Sequence, residues 1–246
     1  MNFAKRIFGF IWMLWGGVVF MSVVIILTFV YAFVLGIFGR KYSMACVWIN
    51  CRVASPLILA LILIRHKVFG KEKLDPKKTY VIVANHTSQI DIISSAAACV
   101  QPMRFLAKAE IKYIPFFGYM VKMLGIMVDR KSKESREKSY RYMAQALQKG
   151  ETLFLYPEGT RNRTAEPLKD FKDGAFKVAV MAQVPIAVQT IVGARKLNPV
   201  EGFQLYPGKV EVHWGAPIET TGMTAADIPL LKERVRNEML KHLQKA

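Results

Sequence analysis

The stretch "TYVIVANHTSQID", residues 79–91, carries the decision about the fold. Val81, Ile82, Val83 and Ala84 form a short, mostly β-branched apolar run between Pro76 and the polar residues that begin at Asn85. A run that short and that branched reads as a buried strand. Outward from it the pattern alternates. "MRFLAK" (103–108) and "GIMV" (125–128) read as further strands. "SKESREKSYRYMAQALQKG" (132–150) reads as an amphipathic helix with Tyr140, Met143, Ala144 and Leu147 on one stripe and Gly150 as its stop. "TLFLY" (152–156), "PIAVQTIV" (185–192) and "KVEVHWG" (209–215) are strands, and "GAFKVAVMAQ" (174–183) is a helix. A last helix carries Ile228, Leu231, Val235 and Met239 on one face. Alternating strands and helices predict an α/β fold, a mixed sheet flanked by helices, with functional residues on the loops at strand ends.

The N-terminal part differs in kind. No charged residue stands between Arg6 and Arg40, an apolar run well beyond the roughly 20 residues that cross a hydrocarbon core. It is too long for the apolar region of a secretory signal. A second apolar stretch, Tyr42 to Ile64, carries Arg52 in its middle, where a charge costs about 2.5–3.5 kcal/mol on insertion scales. The expectation is a membrane-embedded helical hairpin, either spanning twice or spanning once with one segment at the interface; the alternative is a buried hairpin of a soluble fold. Arg65, Lys67, Lys71, Lys73, Lys77 and Lys78 follow directly, and by the positive-inside rule they put the main domain on the cytoplasmic side. The expected division is a membrane-anchoring part, 1–67, and a catalytic part, 68–246.

The whole chain of 246 residues has 35 Lys and Arg against 18 Asp and Glu, a formal net charge of +17. That surplus calls for an anionic partner. Beside an apolar anchor, anionic phospholipid headgroups are expected as that partner rather than nucleic acid. Cys46, Cys51 and Cys99 form neither a CxxC pair nor a disulfide framework, which fits a reducing compartment.

Three strand ends carry chemistry. In "NHTSQID", His86 and Asp91 suit a general base whose ring is oriented by a carboxylate. Five residues along a regular helix lie about 140° out of phase, so His86 has to sit in the loop before the helix, or at its first turn, for Asp91 to reach it. The alternative is a capped turn. In "GIMVDRK", a strand delivers Asp129 and Arg130 into a loop, where a surface ion pair is the plain reading. In "FLYPEGTRNR", Gly159 permits close backbone approach to an anion, and Arg161 and Arg163 offer planar forks for phosphate. Glu158 in that basic loop can anchor arginines or bind a substrate hydroxyl. There is no G-x-S-x-G elbow and no G-x-x-x-x-G-K-[ST] loop. His66, His213 and His242 stand in no metal-ligand spacing, and His213 reads as structural. A base, its orienter and a cationic cradle beside a bilayer suit a reaction at the hydroxyl of a phosphorylated lipid.

These blocks resemble the membrane-associated 1-acylglycerol-3-phosphate acyltransferases. The resemblance covers roughly residues 75–220: "NHTSQID", "GIMVDR", "YPEGTR" and "VPIAV" stand in the family's order, with "FLAKAEIKYIPFFG" and "LKDFKDGAF" similar to its connecting segments. It implies a glycerol-3-phosphate acyltransferase-like fold, with His86 as general base held by Asp91. Arg130, Glu158, Gly159, Thr160 and Arg161 would bind the acceptor's phosphoglycerol part, with Lys108 approaching the site. The substrates it implies are lysophosphatidic acid and acyl-CoA or acyl-carrier protein, with no metal or prosthetic group, in phospholipid biosynthesis at a membrane, expected to be a bacterial inner membrane. Tyr156 stands where the family has Phe, and "VPIAVQT" has Val188 and Gln189 where it continues with proline and valine. The second departure keeps another lysolipid, such as a lyso-ornithine lipid, as an alternative acceptor. A membrane-tethered anion-binding protein without catalysis is the other alternative.

Overall fold

The computed structural model describes residues 3–128, 132–199 and 202–244. The chain opens with a long helix, α1 (Phe3–Phe38), and returns through α2 (Ser43–Ile49), a π-helical turn at Asn50–Ala54, and α3 (Ser55–Leu61). Then come β1 (Ile64–Phe69), β2 (Val81–Ala84), α4 (Asp91–Ala98) and β3 (Met103–Lys108). They are followed by α5 (Phe117–Leu124), β4 (Ile126–Val128), α6 (Lys133–Gln148), β5 (Thr152–Leu155) and α7 (Gly174–Ala182). The last elements are β6 (Ile186–Val192), the short α8 (Ala194–Leu197), β7 (Gly208–Trp214) and α9 (Ile228–Leu243).

The strands form one sheet in the order β1-β7-β6-β2-β5-β3-β4. All neighbours are parallel except β6 and β7. This is the mixed α/β sheet read from the alternating pattern. Period-2 alternation divides its side chains between two apolar layers. Val81, Val83, Leu153 and Leu155 face α6, α7 and α9, whereas Ile82, Ala84 and Phe154 face α4 and the N-terminal helices. Ile228, Leu231, Val235 and Met239 are buried in the first layer, as their helical spacing requires. Ser132 caps α6 through a reciprocal pair with Ser135, and Gly150 lies just past its end at φ +85°.

The N-terminal helices are long and apolar enough to cross a membrane by length and composition, over Phe3–Phe38 and Arg40–Leu61. They form a hairpin whose arms touch: Trp12 Nε1 donates to the Ile62 carbonyl at 3.2 Å and Trp15 Nε1 to that of Leu61 at 3.0 Å. α1 also lies along the α/β layer. Near its start Gly9 meets the Tyr206 ring, where a Cβ would come within 2.6 Å, and further on Phe20 packs on Phe117 of α5. Arg52 stands in the π-helical turn with its guanidinium 4.3 Å from the Trp48 ring, an amphipathic solution to a charge within an apolar segment. Beyond the expected elements stand α5 and the short α8, and two further features. One is that π-helical turn, and the other is β1, which runs parallel to β7 from Ile64 and so ties the end of the hairpin into the sheet. In β1 burial alternates, with Ile64, His66 and Val68 turned inward and Arg65 and Lys67 outward, but the consecutive Arg65, His66 and Lys67 hide that alternation in the sequence.

Candidate active site

β2 and β5 are neighbours and parallel, so the loops leaving their C-terminal ends, 85–90 and 156–163, come together. Asn85 starts the first loop by spending its side chain on the backbone of β6: Nδ2 donates to the Ile191 carbonyl at 2.9 Å and Oδ1 accepts from Ile191 N–H at 2.7 Å. The strand is thereby extended by a side chain, and His86 begins the turn.

Asp91 is the first residue of α4 and is fully buried. Its Oδ2 accepts from Thr87 N–H at 2.6 Å and Ser88 N–H at 2.7 Å, and lies 3.0 Å from His86 Nδ1. The two backbone donors fix the carboxylate, so the imidazole meets an acceptor and carries its proton on Nδ1. Nε2 is left with a free lone pair, the arrangement a general base needs. The capped turn and the His–Asp contact are one arrangement, because the same oxygen serves both. The His86 ring stacks on Tyr156 with centroids 3.9 Å apart, which restricts its rotation. Burial, and after it the charge of Asp91, pushes the Tyr156 phenol well above the ordinary tyrosine range, so it stays neutral.

Glu158 braces the second loop. It is 1% exposed; Oε1 accepts from His86 N–H at 2.7 Å and Oε2 from Lys169 N–H at 3.0 Å. Burial raises its carboxyl above the ordinary glutamate value, against the pull of these two donors. A second tie runs from Asn162 N–H to the His86 carbonyl at 2.6 Å. Gly159 closes the turn 156–159 at φ +75°, a backbone region that a side chain makes costly.

A cleft of about 780 Å³ opens in front of the dyad. His86, Lys108, Gly159, Thr160 and Arg161 line it together, with the strand-end residues Leu106 and Leu155 as apolar wall. Glu158 stands behind this wall. Arg130 lies outside the described residues, directly after β4. Sequence reasoning missed Lys169, whose Nζ donates to Thr160 Oγ1 at 3.0 Å and which lines the cleft, as does Arg163. It also missed Asn198, whose Oδ1 accepts from Ser88 Oγ at 2.9 Å and Gln89 N–H at 3.0 Å and holds the histidine loop from the far side. Lys169 stands in the segment "LKDFKDGAF" without any mark of its role, whereas an asparagine 110 positions downstream is found only by folding the chain. A smaller apolar cavity, about 110 Å³, adjoins the cleft and shares Ile92, Phe105, Phe117 and Val121 with it. It runs between α1, α3 and the sheet. Gln189 is buried beneath α4, away from the cleft wall, with Nε2 3.5 Å from the Ser95 carbonyl. His213 is held on β7 by stacking on Phe69 and His242 and by Glu211, away from the dyad.

Around this site, residues 65–192 fit the profile of the Acyltransferase family, and the chain belongs to that family. The chain is 31% identical over 179 residues to 1-acyl-sn-glycerol-3-phosphate acyltransferase alpha of Homo sapiens, covering 72% of this chain and 63% of that protein. It is 29% identical over 200 residues to 1-acyl-sn-glycerol-3-phosphate acyltransferase of Saccharomyces cerevisiae, covering 80% and 66%. The matched region therefore spans just under two thirds of those relatives. The crystal structure of the 1-acyl-sn-glycerophosphate (LPA) acyltransferase PlsC from Thermotoga maritima shares the fold, with a TM-score of 0.79 at 22% identity over 98% of this chain and 97% of that one.

Proposed function

We propose that the protein transfers an acyl group from acyl-CoA or acyl-carrier protein to the free hydroxyl of 1-acylglycerol-3-phosphate, giving phosphatidic acid. The observation that carries this is the His86–Asp91 pair opening onto a cleft lined by Lys108, Arg161, Arg163 and Lys169. His86 Nε2 takes the proton of the acceptor hydroxyl while its oxygen attacks the thioester carbonyl. The tetrahedral intermediate collapses with loss of the thiolate, which receives that proton back from the imidazolium. Asp91 stabilises the imidazolium in between. Arg161, Thr160 and the Gly159 turn hold the phosphate, joined by Arg130; Glu158 serves acceptor binding through the loop it braces, and Lys108 adds charge at the rim. An acyl chain has an apolar place to lie in the cavity that adjoins the cleft.

Residues 1–67 form the membrane anchor and 68–246 the catalytic part, with β1 stitching one to the other. The basic cluster after the hairpin supports a cytoplasmic orientation at a bacterial inner membrane. The test is acyl transfer by the detergent-purified chain, wild type and His86→Ala, from labelled acyl-CoA and acyl-carrier protein to lysophosphatidic acid. Phosphatidic acid from the wild type alone is expected. Product from both proteins at similar rates removes His86 as base, and product from neither, with both folded, removes this acceptor.

A further inference from the structure

The segment between β3 and α5, together with the first turn of α5, presents large apolar side chains outward on the rim of the cleft. Tyr113 is 75% exposed, Tyr119 50%, Ile114 46% and Phe116 39%. Phe116 has φ +58° and ψ −56°, and Phe117 N–H donates across it to the Pro115 carbonyl at 2.6 Å, which makes a γ-turn. A bulky residue in that region costs about 1–3 kcal/mol and persists only where the surroundings hold it. Here the consequence is positional: Phe116 turns outward while the adjacent Phe117 turns into the cleft wall.

The patch is continuous with the exposed face of α1. The Phe116 ring lies 6.1 Å from that of Phe29, itself 63% exposed, and Thr28 Oγ1 donates to the Phe116 carbonyl at 3.3 Å. Its inner side belongs to the site, since Ile111, Phe117 and Val121 line the cleft that contains His86. Lys112 Nζ lies 4.9 Å from the Tyr113 ring, a cation beside an aromatic as found at the level of lipid headgroups. Soluble monomers rarely leave contiguous apolar patches of this kind uncovered.

We propose that residues 113–119 are a third membrane-inserting element, an aromatic lip that dips into the interfacial layer of the same phospholipid leaflet as the hairpin. Lipid substrate passes beside it from that leaflet into the cleft. The proposal rests on the membrane reading of the hairpin given above, and the experiment separates the two. Cys46, Cys51 and Cys99 are free and buried, so a cysteine introduced on the surface can be labelled selectively in the full chain. Tyr113→Cys and Phe29→Cys carry an environment-sensitive fluorophore in vesicles of phosphatidylcholine and phosphatidylglycerol. The expected result at both sites is quenching by doxyl-labelled lipid and loss of quenching by aqueous iodide. Quenching by doxyl lipid at position 29 with open access to iodide at 113 overturns the lip and leaves the anchor standing. Iodide access at both positions overturns the anchor and the lip with it. Protection from iodide at 113 without doxyl quenching means a protein covers the patch, and that too overturns the proposal. In the activity arm, Tyr113→Ser with Tyr119→Ser is expected to slow transfer to vesicle-borne lysophosphatidic acid and to spare transfer to the same acceptor in detergent micelles. Equal loss in both media counts against a bilayer role.

Discussion

Replacing Asp91 by asparagine isolates the charge that the mechanism requires. The amide oxygen can occupy the place of Oδ2 and still accept from Thr87 N–H, Ser88 N–H and the imidazole. The amide nitrogen takes the place of Oδ1, which has no hydrogen-bond partner among the described residues, so no donor there opposes it. Geometry and tautomer are therefore kept while the negative charge beside the transient imidazolium is lost. With Nδ1 and Oδ2 3.0 Å apart, the charge centres lie near 4 Å. At an effective dielectric of about 20 that pair is worth about 4 kcal/mol, or roughly a thousandfold in kcat. Steady-state acyl transfer to lysophosphatidic acid, with Tm measured alongside, reads both quantities. The expected result is a kcat lowered about a thousandfold, KM for the acceptor little changed and Tm close to wild type. Asp91→Ala, by contrast, strands two backbone N–H groups and adds a loss of stability of about 1–3 kcal/mol for each. A kcat for Asp91→Asn within about tenfold of wild type, roughly 1.4 kcal/mol of barrier, would refute the electrostatic argument.

Arg161→Ala is expected to raise KM for lysophosphatidic acid by about 10- to 100-fold through loss of a charge-assisted contact worth about 1.5–3 kcal/mol; unchanged acceptor KM in initial-rate measurements would contradict it. Tyr156→Phe keeps the ring stacked on His86, and the hydroxyl it removes is buried near Ser95 without a hydrogen bond of normal geometry. Activity within about threefold of wild type and an undiminished Tm are therefore expected, because deleting an unpartnered buried hydroxyl is nearly neutral. A large loss of activity would instead assign that hydroxyl a part in positioning the dyad. His66 is held at a pKa of about 4, first by burial and then by Lys71, against an ordinary value of 6.5. Between these values the unfolded chain binds a proton that the folded one refuses, so stability falls as pH drops from about 6.5 toward 4. Thermal unfolding followed against pH should show this decline flattened in His66→Gln, and parallel curves would exclude the linkage.

The sequence determined by itself whatever depends on neighbours along the chain. The branched run at 81–84, the stripe on α6 and the apolar face of α9 follow from periodicities of 2 and 3.6, and the burial they foretell is met in the two core layers. The relation of His86 to Asp91 was legible for the same reason: five positions apart across a strand-to-helix turn, the histidine has to stand in the loop or at the helix's first turn for the aspartate to reach it. The long uncharged N-terminal run likewise announces itself through composition. Tertiary structure alone decided which ends of which strands meet. Glu158 reads as a charged loop residue free to touch a ligand; its carboxylate is taken up by the backbone of Lys169, further along the same connection, and of His86, which the β2–β5 pairing brings within reach. Lys169 folds back onto Thr160 within the long β5–α7 connection, Asn198 enters the site from a distant segment, and β1 becomes a strand because β7 is there to pair with it. A backbone donor or a neighbouring strand leaves no mark on the residue that will bind it, because every residue carries the same N–H and C=O.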